Sequence, residues 1–302
     1  MFQRAPLVLA AIVAAGVASA GAPYVGAQRP AFRAGVRTVA VFATVQDARG
    51  TLVTDLARDD FEVFEDGVPR DVVQFSADPQ PLNVVVMLET SQRMLGPHVP
   101  LNLRLQYRDA IMAFVEALRP GDRARIGTFG LQVALGAHLT SDRTELRRVL
   151  DEETWAGGEA PLWQALIAGM RSIDAEPDRR VVLALTNGIN TGNIPGHTGG
   201  RSTAESQAAE CGCLVYAVTL ESRDVGEDLK EVATTTGGGY VRIVQGGDVH
   251  EAFLRIAEEL RHQYLIGFVP IAADGLAHRI DVRARRPGHV VRARQTFVAE
   301  VQ

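Results

Sequence analysis

The chain has 302 residues, 46% of them hydrophobic and 22% charged, which is enough apolar material for one main core and a second smaller one and excludes a disordered chain. Its formal charge of -5 arises from 31 Lys and Arg scattered among 36 Asp and Glu, so no basic run is present for a nucleic acid to grip. At the N-terminus, Arg4 precedes an apolar stretch of Ala, Val and Leu that ends in Ala18-Ser19-Ala20, the small-residue pattern of a secretory cleavage site.

Residues 1–20 are therefore expected to be a signal peptide, with cleavage as late as residue 27 and an uncleaved membrane anchor as the alternative. The expected destination is secreted or periplasmic, with no stable membrane insertion after cleavage. No cysteine follows the apolar run, so lipid attachment at a new N-terminal cysteine is not expected.

Residues 34–78 read as an N-terminal β module. Phe61-Glu62-Val63-Phe64-Glu65 runs into Asp66-Gly67, a strong hairpin signal, and Val72-Val73-Gln74-Phe75 follows as a further strand. The acids Asp59, Asp60, Glu62, Glu65 and Asp66 match no calcium loop. Their alternation with Phe61, Val63 and Phe64 predicts a strand with one wet face. Asp78-Pro79-Gln80-Pro81 marks a boundary.

From residue 82 to residue 263 apolar strands alternate with amphipathic helices. Strands are predicted at 84–88, 125–129, 132–137, 181–186, 214–220 and 240–244. Helices lie between them, with caps expected at Asp142, Ser202 and Asp248, each followed three residues later by Glu. Cys211 and Cys213 are the two cysteines of the chain. With a single residue between them their sulfurs do not meet easily, and they read as two small buried side chains leading into a strand, with a redox pair as the alternative. After residue 263 three more strands are predicted, at 264–269, 278–284 and 290–298, with Pro287-Gly288 as a hairpin turn.

The fold class that follows is α/β: a Rossmann-like, doubly wound, mostly parallel sheet, with a small β domain formed by the N-terminal module and the C-terminal segment 264–302.

Residues 82–94, Leu-Asn-Val-Val-Val-Met-Leu-Glu-Thr-Ser-Gln-Arg-Met, carry a buried strand straight into a polar loop. With them go Asp60-Phe-Glu-Val-Phe-Glu-Asp-Gly67, Gln263-Tyr-Leu-Ile-Gly267 and Arg286-Pro-Gly288. On these motifs the chain resembles the VWFA-related family of secreted bacterial proteins, and residues 82–263 resemble a von Willebrand factor A domain. In that family the metal-ion-dependent adhesion site reads Asp-x-Ser-x-Ser, completed by a Thr from a second loop and an Asp from a third. Here those positions carry Glu89, Ser91 and Arg93, then Ala160 or Glu159, then Asn187.

The resemblance thus implies a degenerate site, whose charge at the ligand positions falls from about -2 to about 0 when Glu89 and Arg93 are counted together. No cofactor is expected, and Mg²⁺ is disfavoured. Arg93 is expected to pair with Glu89 or Glu159 through a forked hydrogen bond, either standing in for the ion or leaving the face inert. Arg93, Glu159 and Thr191, the last beside a glycine-rich loop, are the expected ligand contacts. His98 and His197 fall in the first and third loops, where solvent-exposed histidines are the rule and a transition-metal pair the exception.

No nucleophile elbow, phosphate loop or zinc helix occurs, so the chain is not expected to be an enzyme. A hydrolase built on Glu89 and Glu159 is the enzymatic alternative. The expected role is an exported, non-enzymatic interaction or adhesion module that binds a protein or surface polymer, acidic ones included, through the loops after Leu88, Ala156 and Asn187. A magnesium-dependent adhesion protein and a structural envelope component are the alternatives.

Overall fold

The computed structural model describes residues 38–152, 157–193, 199–220, 226–244 and 247–301, so the apolar stretch read as a signal peptide lies outside it. Four strands precede the boundary at Asp78: β1 (Val39–Gln46), β2 (Phe61–Glu65), β3 (Val68–Arg70) and β4 (Val72–Ser76). The Asp66-Gly67 turn closes β2 onto an antiparallel β3, as expected.

Next come β5 (Leu82–Glu89), a single turn α1 (Gln92–Leu95), α2 (Leu101–Ala117), β6 (Arg123–Phe129), β7 (Val133–Leu135), α3 (Arg143–Glu152) and α4 (Leu162–Arg171). They are followed by β8 (Arg179–Thr186), α5 (Arg201–Cys211), β9 (Leu214–Leu220), α6 (Glu227–Thr235), β10 (Tyr240–Ile243) and α7 (Val249–Arg261). The chain ends with β11 (Tyr264–Phe268), β12 (Ala277–Ala284), β13 (Val290–Ala293) and β14 (Thr296–Val298).

The central sheet has the order β10-β9-β8-β5-β6-β7, parallel except for the antiparallel edge strand β7. All of β5 is buried because helices cover both faces. Val84, Val86 and Leu88 face α2 and α7, where Phe114 and Phe253 meet edge to face at 6.2 Å. Val85 and Met87 face α4 and α5. From β5 the chain winds one way to β6 and the other way to β8, so the crevice of the sheet opens at the carboxyl ends of β5 and β8.

Strands from the two ends of the chain pair with one another, as expected. One sheet has the order β13-β1-β11-β4, the other β14-β12-β2-β3, and Val41, Phe61, Val63, Tyr264, Ile266, Ile280 and Phe297 fill the space between. A buried polar cluster ties this sandwich to the central domain. Glu259 on α7 accepts from the Tyr216 hydroxyl of β9, from the Arg292 guanidinium of β13 and, at 3.2 Å, from Thr44 of β1. Gln263 donates to Thr44 (3.2 Å) and Tyr216 (3.1 Å), and its own carbonyl oxygen accepts from the buried Arg179 at 3.0 Å.

Several local expectations are corrected. The predicted strand 290–298 is two strands in different sheets, because at Arg294 and Gln295 the chain crosses over to the end of α6, Arg294 bridging Thr236 and Gln295 N–H donating to the Thr235 carbonyl at 2.8 Å. Pro287-Gly288 consequently turns a corner between the two sheets and does not close a hairpin. Asp142 and Asp248 cap their helices through their carboxylates, but Ser202 lies inside α5, whose N-cap is Gly200. On β2 the wet and dry faces differ from expectation: Phe61, Val63 and Glu65 point inward, and Phe64 points outward under Arg283. Cys211 and Cys213 form a disulfide, with Cα atoms 5.3 Å apart. The bridge closes because Gly212, the C-cap of α5, turns the chain through φ 62°. Among the described residues no helix is long and apolar enough to cross a membrane.

Candidate functional site

The site is built from the carboxyl ends of β5 and β8, where each strand gives up its ladder and turns into a polar loop. β5 ends on Glu89, whose side chain is fully buried. A buried carboxylate has to be bonded, and four donors meet this one. Oε1 accepts from the Ser91 hydroxyl at 2.5 Å and from Asn187 Nδ2 at 2.8 Å. Oε2 accepts from the Thr186 hydroxyl at 2.6 Å and from the Asn187 backbone N–H at 2.8 Å. Burial pushes the Glu89 carboxyl above its ordinary range, while the bonds from Ser91, Thr186 and Asn187 and the charge of Arg93 pull the other way.

The surrounding loops lock onto this pair of strand ends. Thr90 N–H bonds the Phe129 carbonyl at 2.7 Å, and Gly157 N–H bonds the Thr90 carbonyl at 2.8 Å. The packing at Gly130 leaves no room for a side chain: a Cβ there would lie 2.6 Å from the Gly157 carbonyl oxygen and 2.7 Å from Thr90 Oγ1. Ala160 is fully buried, its N–H donating to Thr191 Oγ1 at 2.9 Å and its carbonyl accepting from Thr191 N–H at 3.0 Å. Thr191 therefore clips the second loop to the third, its hydroxyl already engaged.

Of the residues singled out in the sequence, the structure brings Glu89, Ser91 and Asn187 together. Arg93 acts on Glu89 through its charge but forms no hydrogen bond or ion pair with either glutamate. Arg93 is exposed on α1 and makes no hydrogen bond or ion pair among the described residues, so the expected forked pair with Glu89 or Glu159 is absent. Glu89 has no acceptor position left for a guanidinium. Glu159 is exposed and lies against Gly192. His98 is exposed, and His197 lies outside the described residues. The sequence reading placed Thr186 at the end of a strand beside the glycine-rich loop without giving it a partner, and it did not single out Leu131. Thr186 supplies a hydroxyl to Glu89, and Leu131 stands 81% exposed in the β6–β7 turn, packed by its backbone against Gly158. An apolar residue placed between Gly130 and Gln132 was the signal for the second.

A magnesium ion requires about six hard oxygen ligands at roughly 2.0–2.1 Å and an excess of negative charge. Ser91 and Asn187 donate to Glu89, and Asn187 Oδ1 accepts from Ile189 N–H at 2.8 Å. Of the five positions, Ala160 and Arg93 offer no side-chain oxygen, and Arg93 is exposed and cationic.

An open α/β sheet whose polar loops crown the carboxyl ends of its central strands defines a domain of the doubly wound class. Within that class its fold is that of a von Willebrand factor type A domain. A von Willebrand factor type A protein from Catenulispora acidiphila aligns over 89% of this chain and 75% of its own, with a TM-score of 0.53 and 12% identity. Proximal thread matrix protein 1 of the mussel byssus aligns over 64% of this chain and 49% of its own, with a TM-score of 0.50 and 14% identity. No family model matches the sequence, and no curated protein does.

Proposed function

We propose that the chain is an exported, non-enzymatic interaction module that binds a protein or surface polymer through the loops at the carboxyl end of its sheet, without a metal ion. The observation that carries this reading is the closed set of four hydrogen bonds on Glu89. In a metal-dependent site the cation would join the loops; in this chain hydrogen bonds from Ser91, Thr186 and Asn187 to Glu89 join them, which supports a metal-independent reading. Above them stand exposed side chains with no internal work: Arg93, Leu131, and Leu101 at the start of α2, which is 62% exposed. A mixed apolar and cationic face of this kind suits a partner that offers carboxylates and apolar groups together.

Calorimetric titration with Mg²⁺ and Mn²⁺ tests the metal independence. The native protein should give no binding heat, and the fourfold variant Glu89→Asp, Arg93→Ser, Ala160→Thr, Asn187→Asp should acquire it. Heat from the native protein that disappears in Ser91→Ala would overturn the reading. Attachment of the labelled protein to a cell-envelope fraction in the presence of chelator tests the surface. Arg93→Glu and Leu131→Asp should weaken it without lowering the melting temperature.

A further inference from the structure

His278 of β12 is bracketed by acids from separate segments, and its side chain is only 13% exposed. Nδ1 lies 2.7 Å from Asp66 Oδ2 in the β2–β3 turn, and Nε2 lies 3.1 Å from Asp274 Oδ1 in the β11–β12 loop. Glu65 Oε1, on β2, is 3.9 Å from Nδ1. An imidazole donates from both ring nitrogens only when it is protonated, so simultaneous bonds to Asp66 and Asp274 require the imidazolium.

Glu65 adds an independent reason for charge at this position. Its side chain is fully buried; Oε2 accepts from Ile271 N–H at 2.8 Å and faces Arg70 Nε at 3.3 Å, while Oε1 has no hydrogen-bond donor among the described residues. A buried carboxylate oxygen without a donor is costly unless a cation lies near it, and His278 is the cation on that side. The remaining neighbours are Phe297 of β14, whose ring centroid is 5.5 Å from the imidazole, and the Arg279 backbone N–H, which bonds Asp66 Oδ1 at 2.9 Å. The facing charges are thus three carboxylates against one guanidinium and one imidazole.

The loop that contributes Asp274 has little else to hold it. Ile271 and Leu276 are 53% and 62% exposed, so apolar burial contributes little. Its attachment is polar: Arg70 to the Val269 carbonyl, Ile271 to Glu65, Asp274 to His278, and at its far end a backbone pair with Ala299, Gly275 N–H to the Ala299 carbonyl at 2.8 Å and Ala299 N–H to the Leu276 carbonyl at 2.9 Å.

We propose that the Asp66–His278–Asp274 bridge is a proton-operated latch, which fastens residues 269–276 to the β2–β3 turn while His278 is charged and releases them when the imidazole loses its proton. The bonds to Asp66 and then Asp274 raise the affinity of His278 for its proton above the ordinary 6.5. A group raised in this way contributes fully below its unfolded value and loses that contribution as pH rises through the folded one. The latch is therefore closed in acid and opens on the alkaline side of 6.5.

Hydrogen–deuterium exchange of the full chain from about pH 5.5 to about pH 9, corrected for the intrinsic exchange rate, tests this. Protection of 271–276 should fall several-fold across the histidine titration, while the turn at 47–51 keeps its protection. In His278→Gln the same segment should exchange fast at every pH, and in Asp274→Asn the pH step should shrink. Equal protection at both ends of the range, or a native-like step in His278→Gln, overturns the proposal. Should His278→Gln fail to fold, the NMR titration of the His278 ring in the native chain decides: a midpoint at or below 6.5 sinks the latch.

Discussion

Asn187 meets the two oxygens of Glu89 with separate donors, its backbone N–H on Oε2 and its side-chain amide on Oε1, each at 2.8 Å. Through this one residue the end of β8 is fastened to the end of β5 at the switch point of the sheet.

An aspartate at position 187 would keep the backbone bond, lose the amide donor and set a second carboxylate against a buried one. Asn187→Asp is expected to destabilise the protein by about 2–4 kcal/mol near neutral pH, and by less in acid, where the pair shares a proton. Urea denaturation at two pH values measures both. Equal losses at the two would show that charge repulsion is not the cause.

Burial raises the proton affinity of Glu89 in the folded state above the ordinary value of 4.5. The folded protein then holds this proton more tightly than the unfolded chain, so stability falls as pH climbs from 4.5 through the folded value. Melting curves of the native protein and of Glu89→Gln should diverge over that window. The variant, lacking the titration, should show the flatter profile.

Glu259 takes three donors at the seam between the sandwich and the central domain, and Arg292 depends on it for charge compensation. Removing one partner of a buried pair costs about 3–5 kcal/mol, and the partial exposure of Arg292 argues for the lower end. Glu259→Gln should lower stability by about 2–3 kcal/mol in chemical denaturation. A loss under about 0.5 kcal/mol would mean that the charge of Glu259 contributes little to the seam.

Gly212 combines a left-handed backbone with a crowded side: a Cβ there would come within 2.8 Å of Arg294 Nη1. Gly212→Ala should cost about 1–3 kcal/mol and slow closure of the Cys211–Cys213 bridge, read by thermal melting and by thiol labelling after refolding.

Leu131 is 81% exposed and packs on nothing through its side chain that would repay its burial. Leu131→Asp should leave stability within about 0.5 kcal/mol of native. A drop of several kcal/mol in a denaturation curve would place Leu131 in the fold and remove it from the presented surface.

The alternation of Val84, Val86 and Leu88 with Val85 and Met87, and the helical spacing of Tyr107, Ile111 and Phe114, were enough to read a doubly wound sheet, because both faces of such strands must be apolar and both patterns are local. The Asp66-Gly67 turn and the Asp248 cap were legible for the same reason: the residues that make them are neighbours in sequence. Glu89, Ser91 and Asn187 were recognisable as one group through the resemblance to the von Willebrand factor A domain, whose adhesion-site positions they occupy.

Partner choice was not legible. Whether Glu89 bonds Arg93 or Asn187, 98 residues away, depends on where two distant loops deliver their donors, and nothing in either segment alone encodes that distance. The inward turn of Glu65 and the division of residues 290–298 between two sheets escaped for a related reason. Strand register is set by the partner strand, and a shift of one residue exchanges the buried and the wet face. The chain's own periodicities determined its layers, and packing across sequence-distant segments determined which polar groups satisfy each other inside them.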